Sequence, residues 1–330
     1  MRFCRKAVAS QLPQLVDLSP ALDGRRQSRQ SKQLATHFMQ WWSNPSILHK
    51  LASAHRTALP LVKACGAGKS VPVRILDATG GWGVDAATLV AAGATVDIIE
   101  RNPIMAQLLL DILQHAHGSS ELRPLLRGRV GGLWGGDAAA ALHSSSATAA
   151  PKQHMEHLWP PPSSGSSSAP PLPCGPWDVV YIDAMFPPRG KASAAVKLPA
   201  QWLHALAAQE AVEGLGTANP RYAELQGALM GGSLADMGGV LGRAMGALVE
   251  SSASISGEEL PPADALALPL VQAALSSPVR RIVVKRPGRA GPLVLPAGEA
   301  DDGKRPSFAV NGKAVRFDVY QRPWLQHSES

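Results

Sequence analysis

The chain has 330 residues and is 45% hydrophobic, enough to bury a substantial core, while three widely spaced cysteines (Cys4, Cys65, Cys174) without a CxxC exclude a disulfide scaffold or a cysteine-rich zinc site. The formal charge of +7 favours an anionic partner, but seven basic side chains against two acids within residues 1–32 supply +5 of it, leaving about +2 for the rest. No apolar run reaches the roughly eighteen residues of a membrane span, and 31 glycines with 28 prolines against 5% aromatics mark part of the length as loop or low-complexity sequence.

Residues 1–45 form a leader that is Arg-rich, Gln/Ser-rich and poor in acids. It reads as a transit peptide for a chloroplast or mitochondrion, or equally as a leader retained in the cytoplasm. From residue 73 short β-branched runs alternate with helical patterns, the mark of βα units in a parallel sheet. "VRILDA" (73–78) is a strand, "VDAATLVAAG" (84–93) a helix ended by glycine, "ATVDIIE" (94–100) a second strand, and "NPIMAQLLLDILQHA" (102–116) a second helix with Asn102 as N-cap and Pro103 at its first position. "RVGGLWGGDA" is a weak third strand. Ser/Pro/Ala-rich sequence at about 143–176 buries too little apolar area to offset its ordering entropy and is expected to be a disordered insertion. Its His154 and His157 flank Glu156, but a flexible linker offers no preorganised metal geometry, and no metal is expected. "WDVVYID" is the fourth strand, a helix surrounds Pro199, and Gly/Ala-rich sequence at about 214–262 is a second insertion. "RRIVVKRP" is the fifth strand, and "SFAVNGKAVRFDVYQ" is an antiparallel hairpin with Asn311-Gly312 in a tight type I′ turn. The 46–330 region is therefore expected to be one domain, an α/β doubly wound and mostly parallel sheet ending in an antiparallel hairpin, the methyltransferase version of the Rossmann-like fold.

"LDATGGWGVDA" joins the first strand to the first helix, and its glycines let backbone N–H groups approach a ligand at the helix N-terminus. Gly81, Gly83 and Ala86 satisfy the dinucleotide fingerprint, with Glu100 near the distance of a ribose contact. Asp77 shifts the balance, since a carboxylate there repels a pyrophosphate but attracts the ammonium of S-adenosylmethionine, directly or through water. Glu100 then suits two ribose hydroxyls and Asp137 the adenine amine. Each has a plainer role available: loop-amide acceptor or N-cap for Asp77, ion pair for Glu100, helix N-cap for Asp137. Trp82 either covers the cofactor or packs.

The fourth strand runs into "DAMFPPRGK", so Asp183, Ala184, Met185 and Phe186 are expected beside the cofactor, beyond the carboxyl ends of the strands. An exocyclic amine on a nucleobase is a poor nucleophile, and a carboxylate accepting its N–H bonds, with an aromatic against the ring, aims its lone pair. These motifs, in this order, resemble the bacterial 16S ribosomal RNA guanine-N2 methyltransferases of the RsmJ type: the cofactor half "LDATGGWGVDAATLVAAGATVDIIERNPIMAQLLLDIL", the strand-four element "VVYIDAMFPPRGKASAAVK", "RRIVVKRP" and "GKAVRFDVY". The resemblance implies a class I methyltransferase whose cofactor is contacted at Val84, Asp85, Glu100, Arg101, Asp137, Ala138 and Asp183. It further implies that Asp183 orients the guanine amine while Phe186 stacks on the base. The implied partner is small-subunit ribosomal RNA or an assembling small subunit, with no membrane and no metal. Arg189, Lys191 and Lys197, with Lys285 and Arg286 after strand five, are expected to hold RNA phosphates around a flipped base.

Two other readings stay open. Gly81, Gly83, Ala86 and Glu100 also suit a nucleotide-dependent oxidoreductase. Ala184 and Val84, standing where the family carries Pro and Arg, suit a non-catalytic ribosome-assembly factor.

Overall fold

The structure, a computed structural model, describes residues 57–120, 122–126, 129–144, 155–159, 176–183, 263–294 and 305–322. The leader, the 214–262 insertion, the helix expected around Pro199, and Ala184, Met185, Phe186, Arg189, Lys191, Lys197 and His154 lie outside them. The chain divides into two compact units. One, Met1–Pro45 with Met185–Ala263, lies outside the described residues but for Ala263; the other, Ser46–Ala184 with Asp264–Ser330, holds the fold described below.

In chain order the elements are α1 (Pro60–Cys65), β1 (Arg74–Asp77), α2 (Val84–Ala91), β2 (Thr95–Glu100), α3 (Pro103–Gly118), α4 (Arg123–Leu126), β3 (Val130–Gly135), α5 (Ala138–Ser144), β4 (Glu156–Trp159), β5 (Val179–Ile182), α6 (Ala263–Ser276), β6 (Arg281–Pro287), β7 (Phe308–Asn311) and β8 (Val315–Gln321). They build one eight-stranded sheet in the order β4-β3-β2-β1-β5-β6-β8-β7. β3, β2, β1, β5 and β6 are parallel, and β8 enters antiparallel between β6 and β7. This order is that of the methyltransferase variant of the doubly wound fold, with β4 added at one edge. An all-parallel dinucleotide-binding sheet would have no β8 reversal.

The central strands are continuous apolar runs, as strands covered on both faces must be: all four residues of β5 are buried, as are Ile75 and Leu76 of β1 and Ile282, Val283 and Val284 of β6. In α3, Met105, Leu108, Leu109, Ile112, Leu113 and Ala116 repeat at helical spacing and are buried. Each fully buried Leu or Ile contributes about 1.5–3 kcal/mol. Asn102 caps α3, its Oδ1 accepting the Met105 N–H at 3.2 Å, with Pro103 at the first helical position.

At the amino ends of the strands, the Asp97 carboxylate is wholly buried and is partnered through Oδ2 alone, Oδ1 accepting no hydrogen bond from the described residues. It accepts from Arg74 Nε (3.1 Å) and Nη2 (2.9 Å) and from the Trp177 indole (2.7 Å), tying β1, β2 and the entry to β5 together.

Two expectations are corrected here. Glu156–Trp159, inside the expected disordered insertion, is strand β4, paired antiparallel with β3. What the composition concealed is a four-residue aromatic segment: His157 packs on Trp134 (centroids 5.4 Å apart) and Trp159 on His117 (5.5 Å), burial enough for an edge strand. The hairpin between β7 and β8 has no type I′ turn at Asn311-Gly312. Asn311 is still in the ladder opposite Arg316, and Gly312 donates to Val315 O at 2.7 Å without a positive φ, so the chain reverses further on, at Lys313–Ala314. Helices α1 and α6, the latter with Pro269 inside it, are additional to the expected elements.

Candidate cofactor and methyl-acceptor site

From β1 the chain crosses to β2 and β3 on one side, while β5 and β6 lie on the other, so the strand order reverses beside the carboxyl end of β1, where open α/β sheets bind ligands. Asp77 pairs with Ile98 on β2 and with Tyr181 on β5. Glu100 and Asp183 therefore each stand two residues beyond the level of Asp77, flanking the Gly80–Gly83 loop.

That loop is held on both sides. Ala78 N–H donates to Tyr181 O (2.9 Å) and Gly80 N–H to Ile99 O (2.9 Å), and Gly83 closes the turn onto Gly80 O (2.8 Å). Gly83 is the N-cap of α2 at φ 69°, and a Cβ there would lie 2.6 Å from Leu109 Cδ1. Only glycine meets both conditions. Around Gly81 (φ 50°) the equivalent space is open, so the backbone is exposed to close approach by a ligand.

The carboxylates serve different ends. Asp77 is 1% exposed, and its Oδ1 accepts the Thr79 N–H at 3.1 Å, so it braces the loop from beneath in the plainer of its two expected roles. Burial raises its carboxyl up to about 8; the Thr79 bond opposes this, and Asp85, Asp183 and Glu100 add to it. Glu100 accepts from Gly81 N (2.6 Å) and Asn102 N (2.8 Å), which fastens the end of β2 to the glycine loop. Burial pushes its pKa up against these two bonds and the nearby Arg101 charge. Asp137 is exposed and caps α5, accepting Ala139 N at 2.9 Å, with Ala138 buried behind it.

Val84 and Asp85 form the first turn of α2. Asp85 Oδ2 accepts from the buried Tyr181 hydroxyl at 2.6 Å and from Lys285 Nζ at 2.8 Å. The same ammonium lies 2.7 Å from Asp183 Oδ2, and Asp183 N–H donates to Thr79 Oγ1 at 2.7 Å. Asp183 is thus fixed through backbone and side chain, with the side chain 29% exposed. Burial, with Asp85 adding to it, raises its pKa above the ordinary carboxylate value, and Lys285 limits the rise.

This overturns the expected phosphate contacts from strand five. Lys285 and Arg286 lie within β6, not after it; Lys285 is engaged by two carboxylates, and Arg286, buried, donates to Gly291 O at 3.1 Å. The roles of Thr79, Tyr181 and Lys285 escaped the sequence reading. A lysine directly after the apolar run Ile282–Val284 was the available signal, because a strand covered on both faces keeps such a charge only where a partner waits.

Asp77 is close enough to Asp85, Glu100 and Asp183 for all three charges to act on it. A pyrophosphate would meet that field; a ligand with a cationic end and sugar hydroxyls suits it, and the open backbone at Gly81 gives such a ligand a place to approach. The donors present therefore fit S-adenosylmethionine.

The family model described as "Putative SAM-dependent methyltransferase" matches residues 15–160. The chain is 30% identical over 261 residues to the ribosomal RNA small subunit methyltransferase J of Alkalilimnicola ehrlichii, covering 79% of this chain and 65% of that protein. It is 29% identical over 260 residues to the methyltransferase J of Yersinia enterocolitica, and equally to that of Legionella pneumophila, covering 79% of this chain and 67% of each. The chain is thus similar in sequence to ribosomal RNA small subunit methyltransferases J. The cofactor is S-adenosylmethionine. The chain spans about two thirds of the length of the methyltransferases J it matches. A crystal structure of a SAM-dependent methyltransferase from Neisseria gonorrhoeae is similar at 20% identity and a TM-score of 0.41, covering 84% of this chain and 72% of that one.

Proposed function

We propose that this protein methylates small-subunit ribosomal RNA, and that the acceptor is the exocyclic N2 of a guanine. The observation that carries the reading is Asp183, held at the end of β5 by Thr79 and Lys285 across the crevice mouth from the Gly81–Glu100 pair. Similarity to the ribosomal RNA small subunit methyltransferases J supports the RNA substrate; the carboxylate chemistry supports an amine acceptor.

S-adenosylmethionine supplies an electrophilic methyl group on a sulfonium centre. Glu100, at the end of β2, accepts hydrogen bonds from ribose hydroxyls in addition to its two amide bonds. Asp137 accepts from the adenine amine, and Val84, Asp85, Arg101 and Ala138 line the remaining contact. Lys285 engages Asp183 Oδ2, which leaves Oδ1 to accept an N–H of the guanine amine. That bond aims the nitrogen lone pair, and alignment of this kind is worth up to roughly 7–11 kcal/mol in favourable systems. Transfer would form the N–C bond as the S–C bond breaks, S-adenosylhomocysteine would leave as the neutral thioether, and the surplus proton would pass from the nitrogen to Asp183 or to water. Phe186, three residues on, is the residue proposed to stack on the base.

Mass mapping of small-subunit RNA with and without the gene tests this. Loss of one N2-methylguanine in the deletion is expected, and an unchanged modification pattern contradicts it. The oxidoreductase reading is disfavoured by the carboxylates facing the glycine loop. A non-catalytic assembly factor would bind S-adenosylhomocysteine and transfer no methyl group.

A further inference from the structure

Lys285 is the residue whose placement the reaction outlined above leaves unexplained. Register places it alongside Asp183, one residue past the Ile182–Val284 pair, and its Nζ lies 2.8 Å from Asp85 and 2.7 Å from Asp183. An ammonium 24% exposed within a central strand is costly unless paired, and here it is paired twice. Resting on the proposed methyl transfer, we propose that Lys285 is a positioning residue, which holds the Asp183 carboxylate ionised and in a fixed rotamer toward the target amine.

The groups facing Asp183 define the balance. Asp85 from α2 disfavours a second negative charge, Asp77 from β1 is kept protonated by its burial up to about pH 8, Tyr181 on β5 spends its hydroxyl on Asp85, and Thr79 bonds only the Asp183 backbone. Lys285 from β6 opposes Asp85 and the burial. Burial lowers the ammonium, but Asp183 and Asp85 outweigh it and keep it charged throughout the neutral range. Without it, Asp183 would take up a proton, and a protonated carboxyl engages the amine less well as an acceptor.

The decisive readout is the ¹³C titration of aspartate carboxyls in the full chain, with Asp183→Asn used to assign the Asp183 signal. In the wild type Asp183 is expected to be ionised at pH 7, and in Lys285→Met its midpoint rises by about one unit or more. A protonated Asp183 in the wild type at pH 7, or an unmoved midpoint in the variant, overturns the proposal. The wild-type measurement stands even if the variant fails to fold. In methyl transfer, Lys285→Met is expected to lower kcat about tenfold or more and to displace the acid limb of its pH profile upward, so that activity recovers as pH rises. Lys285→Arg restores the wild-type limb. A pH-independent loss that Arg does not rescue shows a merely structural lysine. Absence of methyl transfer by the wild type, with the carboxyl titration as expected, counts against the RNA substrate instead.

Discussion

Asp77 sits 1% exposed at the end of β1, and burial lifts its carboxyl from the ordinary 3.8 up to about 8. The neutral form is therefore favoured by the fold, a contribution fully present below the unfolded value and lost as pH rises through about 8. Asp77→Asn keeps the shape and removes the titration. Urea denaturation is expected to show the wild type losing on the order of a few kcal/mol relative to the variant between about pH 4 and pH 8. A constant difference across that range contradicts the assignment. Glu100 holds the glycine loop and, in the proposed reading, the cofactor ribose as well. Glu100→Ala removes two short amide bonds and a charged acceptor, so S-adenosylhomocysteine affinity measured by calorimetry is expected to fall about 10- to 100-fold, with a lower Tm. Unchanged affinity would place the ribose elsewhere.

The β1–α2 connection depends on Gly83, where φ is 69° and Leu109 leaves no room for a Cβ. Gly83→Ala is expected to cost about 1–3 kcal/mol in denaturant unfolding and to weaken cofactor binding with it. A stable variant with wild-type affinity contradicts this account of the loop. The βα units around it were legible because their signals are local: β-branched runs, Asn102-Pro103 at a helix start, glycine after a helix. β4 was not, because its four residues lie inside Ser/Pro-rich sequence and its His157 and Trp159 pack on Trp134 and His117, which only folding brings near. The site shows the same division. Asp77, Glu100 and Asp183 each follow a recognisable strand and were named from sequence. Asp77's inward turn and the Tyr181–Asp85–Lys285–Asp183 chain depend on register between β1, β5 and β6, which no local pattern encodes.

Across the whole molecule the charge is unevenly distributed, with +5 of the +7 in residues 1–32, and Lys285, the lysine at the site among the described residues, is an internal ion-pair partner. RNA affinity measured against salt is therefore expected to keep its slope in Lys285→Met, whereas loss of a phosphate contact would lower the slope by about one. A lowered slope would return Lys285 to the RNA surface. The central claim is that a carboxylate fixed at the end of β5 aims a guanine amine at the methyl donor. Its most direct test is transfer of labelled methyl from S-adenosylmethionine to small-subunit RNA lacking the modification, comparing wild type with Asp183→Asn. The account predicts N2-methylguanine from the wild type and at least a tenfold slower rate from the variant with cofactor binding intact; equal rates, or label on another atom, would contradict it.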